Sequence, residues 1–112
     1  MKLDFNKINK TYLTVALTNG KTYMITTPTK GLLNKILAMD NLLKTNGDVD
    51  AMEFDPQTVE DLYAISAEIM SINKTKTKVT SEELGEMWDI EDLILFFNTY
   101  MSYIESVANK KN

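Results

Sequence analysis

The sequence predicts an α+β protein, an N-terminal β-hairpin packed on three to four α-helices. Three observations predict it. Residues 12–27, "YLTVALTNGKTYMITT", alternate about an Asn19-Gly20 turn. Three later stretches repeat apolar residues at helical rather than strand spacing. Helix-start signals stand before them at Thr27-Pro28-Thr29, Asp55-Pro56 and Asp89. The 112 residues fit one domain, 1–112, with a hairpin region at 1–27 and a helical region at 28–112.

The hairpin register follows from its loop. A two-residue loop sets Leu13, Val15 and Leu17 opposite Thr26, Met24 and Thr22. A three-residue loop (Thr18, Asn19, Gly20) sets them opposite Ile25, Tyr23 and Lys21. The second gathers Leu13, Val15, Tyr23 and Ile25 on one face and is preferred, with Gly20 in the left-handed bulge position. "KLDF" at 2–5 is a candidate third short strand. A lone hairpin is marginal in water, so helices must cover it.

The first helix is expected from about Thr29 to Lys44, stopping near Asn46-Gly47. Its apolar residues, Leu32 to Leu43, cover more than one face, with Lys35 and Asp40 intruding. An acidic loop, "GDVDAMEFD" at 47–55, follows. Asp55 is expected to cap the second helix, with Pro56 in its first position and its end near Asn73. Apolar residues from Val59 to Ile72 spread over roughly half of that helix at about 100° per residue.

"NKTKTKVT" at 73–80 has no apolar pattern and is expected to be a mobile connector. "TSEE" at 80–83 is a capping box opening a short helix that should break at Gly85. Asp89 then caps the last helix, Ile90 to about Asn109.

Composition narrows the chemistry. Cysteine is absent, which removes disulfides and thiolate metal sites. Arginine and histidine are absent too, and with them bidentate phosphate grips and neutral-pH proton shuttles. The start, "MKLDFNKINK", lacks a signal peptide's apolar run, and Leu93–Phe97 is too short to span a bilayer. A soluble cytoplasmic protein without a membrane partner is expected. Charge is polarised: residues 1–46 carry seven lysines against Asp4 and Asp40, and residues 47–112 carry five lysines against fourteen acids. Such asymmetry steers association with a charged partner or another copy, or is simply an uneven solvated surface.

No catalytic, cofactor or metal motif is present. A calcium loop begun at Asp48 would need glycine at Glu53 and an acid at Val59. The pairs Glu82/Glu83 and Glu91/Asp92 point about 100° apart on a helix and suit helix N-termini better than a shared substrate. The five serines have no histidine to activate them, and the four glycines are scattered. "KTKTK" at 74–78 could touch phosphate, but its half of the chain is acidic and nucleic acid is not the expected partner.

The last helix is unusually broad. From Ile90, ten apolar residues fill an arc of about 180°, where a core-facing stripe needs about 100°. Two readings fit. The helix is central and its whole arc is interior, or part stays outside as a patch for self-association or another protein. On the second reading Trp88, Phe96, Tyr100 and Tyr103 are the candidate partner-binding residues, since aromatic anchors are favoured in interfaces.

The hairpin "YLTVALTNGKTYMIT", the acidic middle helix and the ending "WDIEDLILFFNTYMSYIESV" together resemble small tail assembly chaperones of long-tailed phages and prophages of low-GC Gram-positive bacteria. The match covers most of the chain. Its best part is W-D-I-E-D-L followed by F-F-x-x-Y-x-x-Y-I. The resemblance implies a non-enzymatic morphogenesis factor that holds the tape measure protein soluble and helps recruit tail tube subunits. It implies a protein of the host cytoplasm, absent from the mature virion, often with a longer frameshifted form. "NKKN" at 109–112 is compatible with an A-rich slippery site. The alternative is a structural tail or connector subunit that remains in the virion.

Overall fold

The computed structural model describes residues 11–45 and 55–109. Over them the chain is an α+β fold, in the order β1 (Leu13–Ala16), β2 (Thr22–Ile25), α1 (Lys30–Thr45), α2 (Pro56–Ser71), α3 (Ser81–Met87) and α4 (Ile90–Asn109). The candidate strand at 2–5 and the acidic loop through residue 54 lie outside the described residues.

β1 and β2 pair antiparallel with Leu13 opposite Ile25 and Val15 opposite Tyr23, the register of the three-residue loop. Leu17 N–H donates to the Lys21 carbonyl at 2.8 Å, and Gly20 N–H donates to the Leu17 carbonyl at 3.0 Å. Gly20 has φ +92°, a conformation that glycine adopts without strain. Tyr23 and Ile25 are buried, and Leu13 and Val15 pack half-buried on the same face.

The outer edge of β2 is held by the segment after α2. Thr26 N–H donates to the Ile72 carbonyl at 3.1 Å and Lys74 N–H to the Met24 carbonyl at 2.8 Å, on either side of a bridge between Ile25 and Asn73. Asn73 is buried and fully bonded. Its Nδ2 donates to the Met70 and Thr77 carbonyls, each at 2.7 Å. Its Oδ1 accepts from the Thr75 hydroxyl and the Thr77 N–H, each at 2.9 Å. The connector expected at 73–80 is therefore a hydrogen-bonded structural segment, and Val79 within it belongs to the core. One amide side chain organises the backbone there, which is why no apolar pattern was needed.

The helix starts are built as the sequence implies, with two corrections. Asp55 stands at the N-cap of α2, but its side chain makes no capping bond; Pro56 alone marks the start. α3 runs through Gly85 to Met87 rather than breaking there. A glycine costs a helix about 1 kcal/mol against alanine, and α3 has two compensations. Thr80 Oγ1 accepts from Glu83 N–H at 3.1 Å while Glu83 Oε1 accepts from Thr80 N–H at 3.0 Å. Leu84 is fully buried. α4 opens on a second reciprocal pair: Asp92 N–H donates to Asp89 Oδ1 at 2.9 Å, and Asp89 N–H to Asp92 Oδ2 at 3.1 Å.

The core lies where the hairpin's inner face, α2 and α4 meet, around Ile25, Ile69, Met70, Leu93, Phe97 and Tyr100. α1 closes one side through Leu32, Ile36 and Met39, and α3 another through Leu84.

Candidate functional site

The four aromatic residues singled out from the sequence do come together. Trp88 and Phe96 have ring centroids 5.0 Å apart, Phe96 and Tyr100 6.3 Å, and Tyr100 and Tyr103 5.7 Å. Within α4 the rungs fall at i, i+4 and i+7, one face of a helix. However, the ladder faces inward. Phe96, Tyr100 and Tyr103 are buried, so their assignment as accessible anchors is corrected, and α4 is the central helix of the alternative reading. Only Trp88 is half-exposed.

Tyrosine hydroxyls drawn into the interior need partners, and three of them find backbone carbonyls distant in the sequence. Tyr63 donates to Trp88, Tyr100 to Thr26 and Tyr103 to Thr11, all at 2.6 Å. Burial, followed by the Tyr103 hydroxyl, holds the Tyr100 phenol well above its ordinary range. Tyr103 is raised by burial and then by Tyr12. Tyr63 is raised by burial and then by the Asp89 and Asp92 carboxylates. These shifts favour the protonated hydroxyls that donate to the carbonyls.

The apolar surface that stays outside lies elsewhere. Leu95 is 68% exposed, Leu37 48% and Leu42 39%. Leu95 and Leu42 each line a groove. One, of about 380 Å³, runs between β1 and the start of α4, lined by Leu13–Thr18 and by Met87, Trp88, Asp92, Leu95, Phe96 and Thr99. The other, of about 400 Å³, lies between α1 and α2. Its lining is Lys35, Ala38, Met39 and Leu42 on α1, with Asp61, Ala64, Ile65 and Glu68 on α2. Both sets have the spacing i, i+3, i+4, i+7, so two facing helical stripes form the walls. The floor is apolar and the ends are charged, with Lys35 Nζ 3.3 Å from Glu68 Oε1 at one end and Asp61 at the other. The two grooves share no residue.

A third concavity, of about 770 Å³, opens between α1, α2 and residues 78–81. Its polar side chains are largely engaged: Lys35 pairs with Glu68, and Ser71 Oγ lies 2.8 Å from the Ala67 carbonyl and accepts from Val79 N–H at 2.9 Å. Among the described residues no group of three potential ligands converges on a metal position. Nor is any described helix long and apolar enough to cross a membrane.

The α1–α2 groove has no aromatic residue in its lining, so the aromatic pattern of the sequence does not point to it. The available signal was Leu42, an exposed leucine of α1 one turn beyond the buried Met39. No family model, curated protein or solved structure matches the chain.

Proposed function

We propose that this chain is a non-enzymatic tail assembly chaperone of a long-tailed phage or prophage, acting in the host cytoplasm and leaving before the virion matures. Its client is the tape measure protein, and it helps bring tail tube subunits to that client. The α1–α2 groove carries the reading. Two antiparallel helices with facing i, i+3, i+4, i+7 walls leave room for a third helix, and the alanines at 38 and 64 let its backbone approach closely. A long helical client offers apolar stripes that suit such a floor. The net charge of −4, concentrated in the second half of the chain, supports solubility while that floor is open. The resemblance of the W-D-I-E-D-L and F-F-x-x-Y-x-x-Y-I stretches to the chaperone family names the client.

Co-expression tests this. A phage tape measure protein is expected to move from the insoluble to the soluble fraction when this chain is present. Leu42→Asp and Ala64→Asp are expected to abolish the gain without unfolding the chain, because Leu42 and Ala64 are exposed. No gain with the wild-type chain would sink the reading. A subunit that stays in the particle is the competing reading, favoured by the outer edge of β1, which pairs with no described residue, and mass spectrometry of purified virions separates the two.

A further inference from the structure

The α1–α2 groove and the larger concavity beside residues 78–81 are one continuous surface, because Lys35, Ala64 and Glu68 line both. Between Gly31 and Leu42 the surface follows α1 for about 16 Å, the rise of three helical turns. Its floor is apolar or small from end to end, with Leu32 and Ala67 in one half and Ala38 and Met39 in the other.

The charges along it are not even. At the Gly31 end stands Lys78, exposed and without an ion-pair partner among the described residues. The backbone that carries it is fixed on both sides. Val79 N–H donates to Ser71 Oγ at 2.9 Å, and the Thr77 carbonyl accepts from Asn73 Nδ2 at 2.7 Å. Glu82 and Glu83 follow on α3 outside the lining, where they offset that helix's own positive pole. At the Leu42 end Asp61 is the charged residue of the lining, with its Oδ1 accepting from the neutral Gln57 side chain at 2.9 Å. Lys44, outside the lining, is paired with Asp40 at 3.0 Å. At the waist Lys35 and Glu68 stand on opposite walls as a neutral pair, with side chains 59% and 46% exposed. A pair so exposed is weakly held, and an incoming helix displaces it to the rim.

We propose that this surface takes an amphipathic client helix in one direction only, parallel to α2, with its N-terminus at Asp61 and an acidic last turn at Lys78. The inference rests on the groove being the client's seat and adds the polarity and charge of the segment recognised. An α-helix carries a partial positive charge at its N-terminus and a partial negative charge at its C-terminus. Run parallel to α2, the client sets its positive pole on Asp61 and its negative pole on Lys78. Run the other way, each pole meets like charge. The dipoles of α1 and α2 offset one another, since the two helices are antiparallel, so the side-chain charges decide. Acids in the client's last turn add to the contact with Lys78, and a basic last turn on an equally apolar segment opposes it.

A synthetic peptide of about 15 residues tests this on the full chain. It carries leucines at i, i+3, i+4, i+7 and i+11, a lysine in its first turn, glutamates in its last turn and a nitroxide at its C-terminus. Amide NMR reads the direction. The label is expected to broaden Lys78 and Ser81 and to spare Leu42 and Asp61. Lys78→Glu, a change at an exposed position, is expected to raise the peptide's Kd by at least about fivefold. Broadening at the Leu42 end, equal broadening at both ends, or no binding up to about 1 mM would overturn the proposal. So would a dimer that Leu42→Asp dissolves and that excludes the peptide, because a second copy would then be the occupant. A tape measure protein made soluble beside a reversed peptide would remove this inference alone. A peptide bound in the stated direction beside a tape measure protein that stays insoluble would remove the chaperone reading alone.

Discussion

The hydroxyl of Tyr100 donates to the carbonyl of Thr26 at 2.6 Å, joining two residues 74 positions apart. The bond fastens the chain leaving the hairpin to the middle of α4. Three residues on, Tyr103 fastens the chain entering the hairpin through Thr11. Two tyrosines on one helix face therefore hold both chain termini of the hairpin, at the end away from its loop.

That arrangement predicts alkaline sensitivity. Folding raises the phenol pKa of Tyr63, Tyr100 and Tyr103. A raised pKa means that the folded state holds its proton where the unfolded state has released it. The contribution is complete below the unfolded value, about 10, and is lost as pH climbs from there toward the folded values. Urea midpoints should stay level to about pH 9.5 and fall beyond pH 10. Tyr100→Phe should lose about 1–3 kcal/mol at pH 7, by leaving a carbonyl without its donor, and should flatten the alkaline decline. A midpoint that is level to pH 11.5 in the wild type would refute this account.

The inward turn of the aromatic ladder sets up a contrast among neighbours on one helix. Phe96→Ser and Tyr103→Ser should each destabilise by about 3–5 kcal/mol, because they open cavities among buried rings. Leu95→Ser, next to Phe96 in the chain, should change the stability of the monomer by about 0.5 kcal/mol or less. Thermal and urea unfolding at low protein concentration measure this. Near-equal losses at 95 and 96 would mean that the helix is rotated from the position described.

Much of this fold was legible in the residues. Asn19-Gly20 and the alternation around it determined the loop length, the register and the buried face together, because a one-residue slip would have turned Tyr23 and Ile25 to water. The start of α4 was equally clear, since Asp89 and Asp92 are a local signal. What was not legible depends on long-range geometry. A 180° apolar arc on α4 fits a central helix and a sticky one alike, and only the positions of α2 and the hairpin decide. The α1–α2 groove depends on two stripes facing one another, which neither helix records alone. Residues 73–80 show a third limit: an asparagine with four hydrogen bonds leaves no periodic trace.

Asn73 therefore makes a demanding test. Asn73→Asp keeps the acceptors for Thr75 and Thr77 but loses both donors, leaving the Met70 and Thr77 carbonyls facing a carboxylate. A loss of about 2–4 kcal/mol is expected. Hydrogen exchange should localise the damage to Thr26 and Lys74, whose amides join the hairpin to this segment. If those two amides keep wild-type protection, the segment holds the β2 edge without its asparagine.

One buried group runs the other way. Ser66, in the middle of α2, is fully buried, and its Oγ has no hydrogen-bond partner among the described residues. An unsatisfied buried hydroxyl is costly, and serine is a weaker helix former than alanine. Ser66→Ala removes both disadvantages with the loss of a single heavy atom. The substitution should raise stability by about 1 kcal/mol, read as a higher urea midpoint with an unchanged slope. A fall in the midpoint would show that the hydroxyl has a partner in solution, such as a buried water, and that the interior beside Ala67 and Met70 is wet rather than dry.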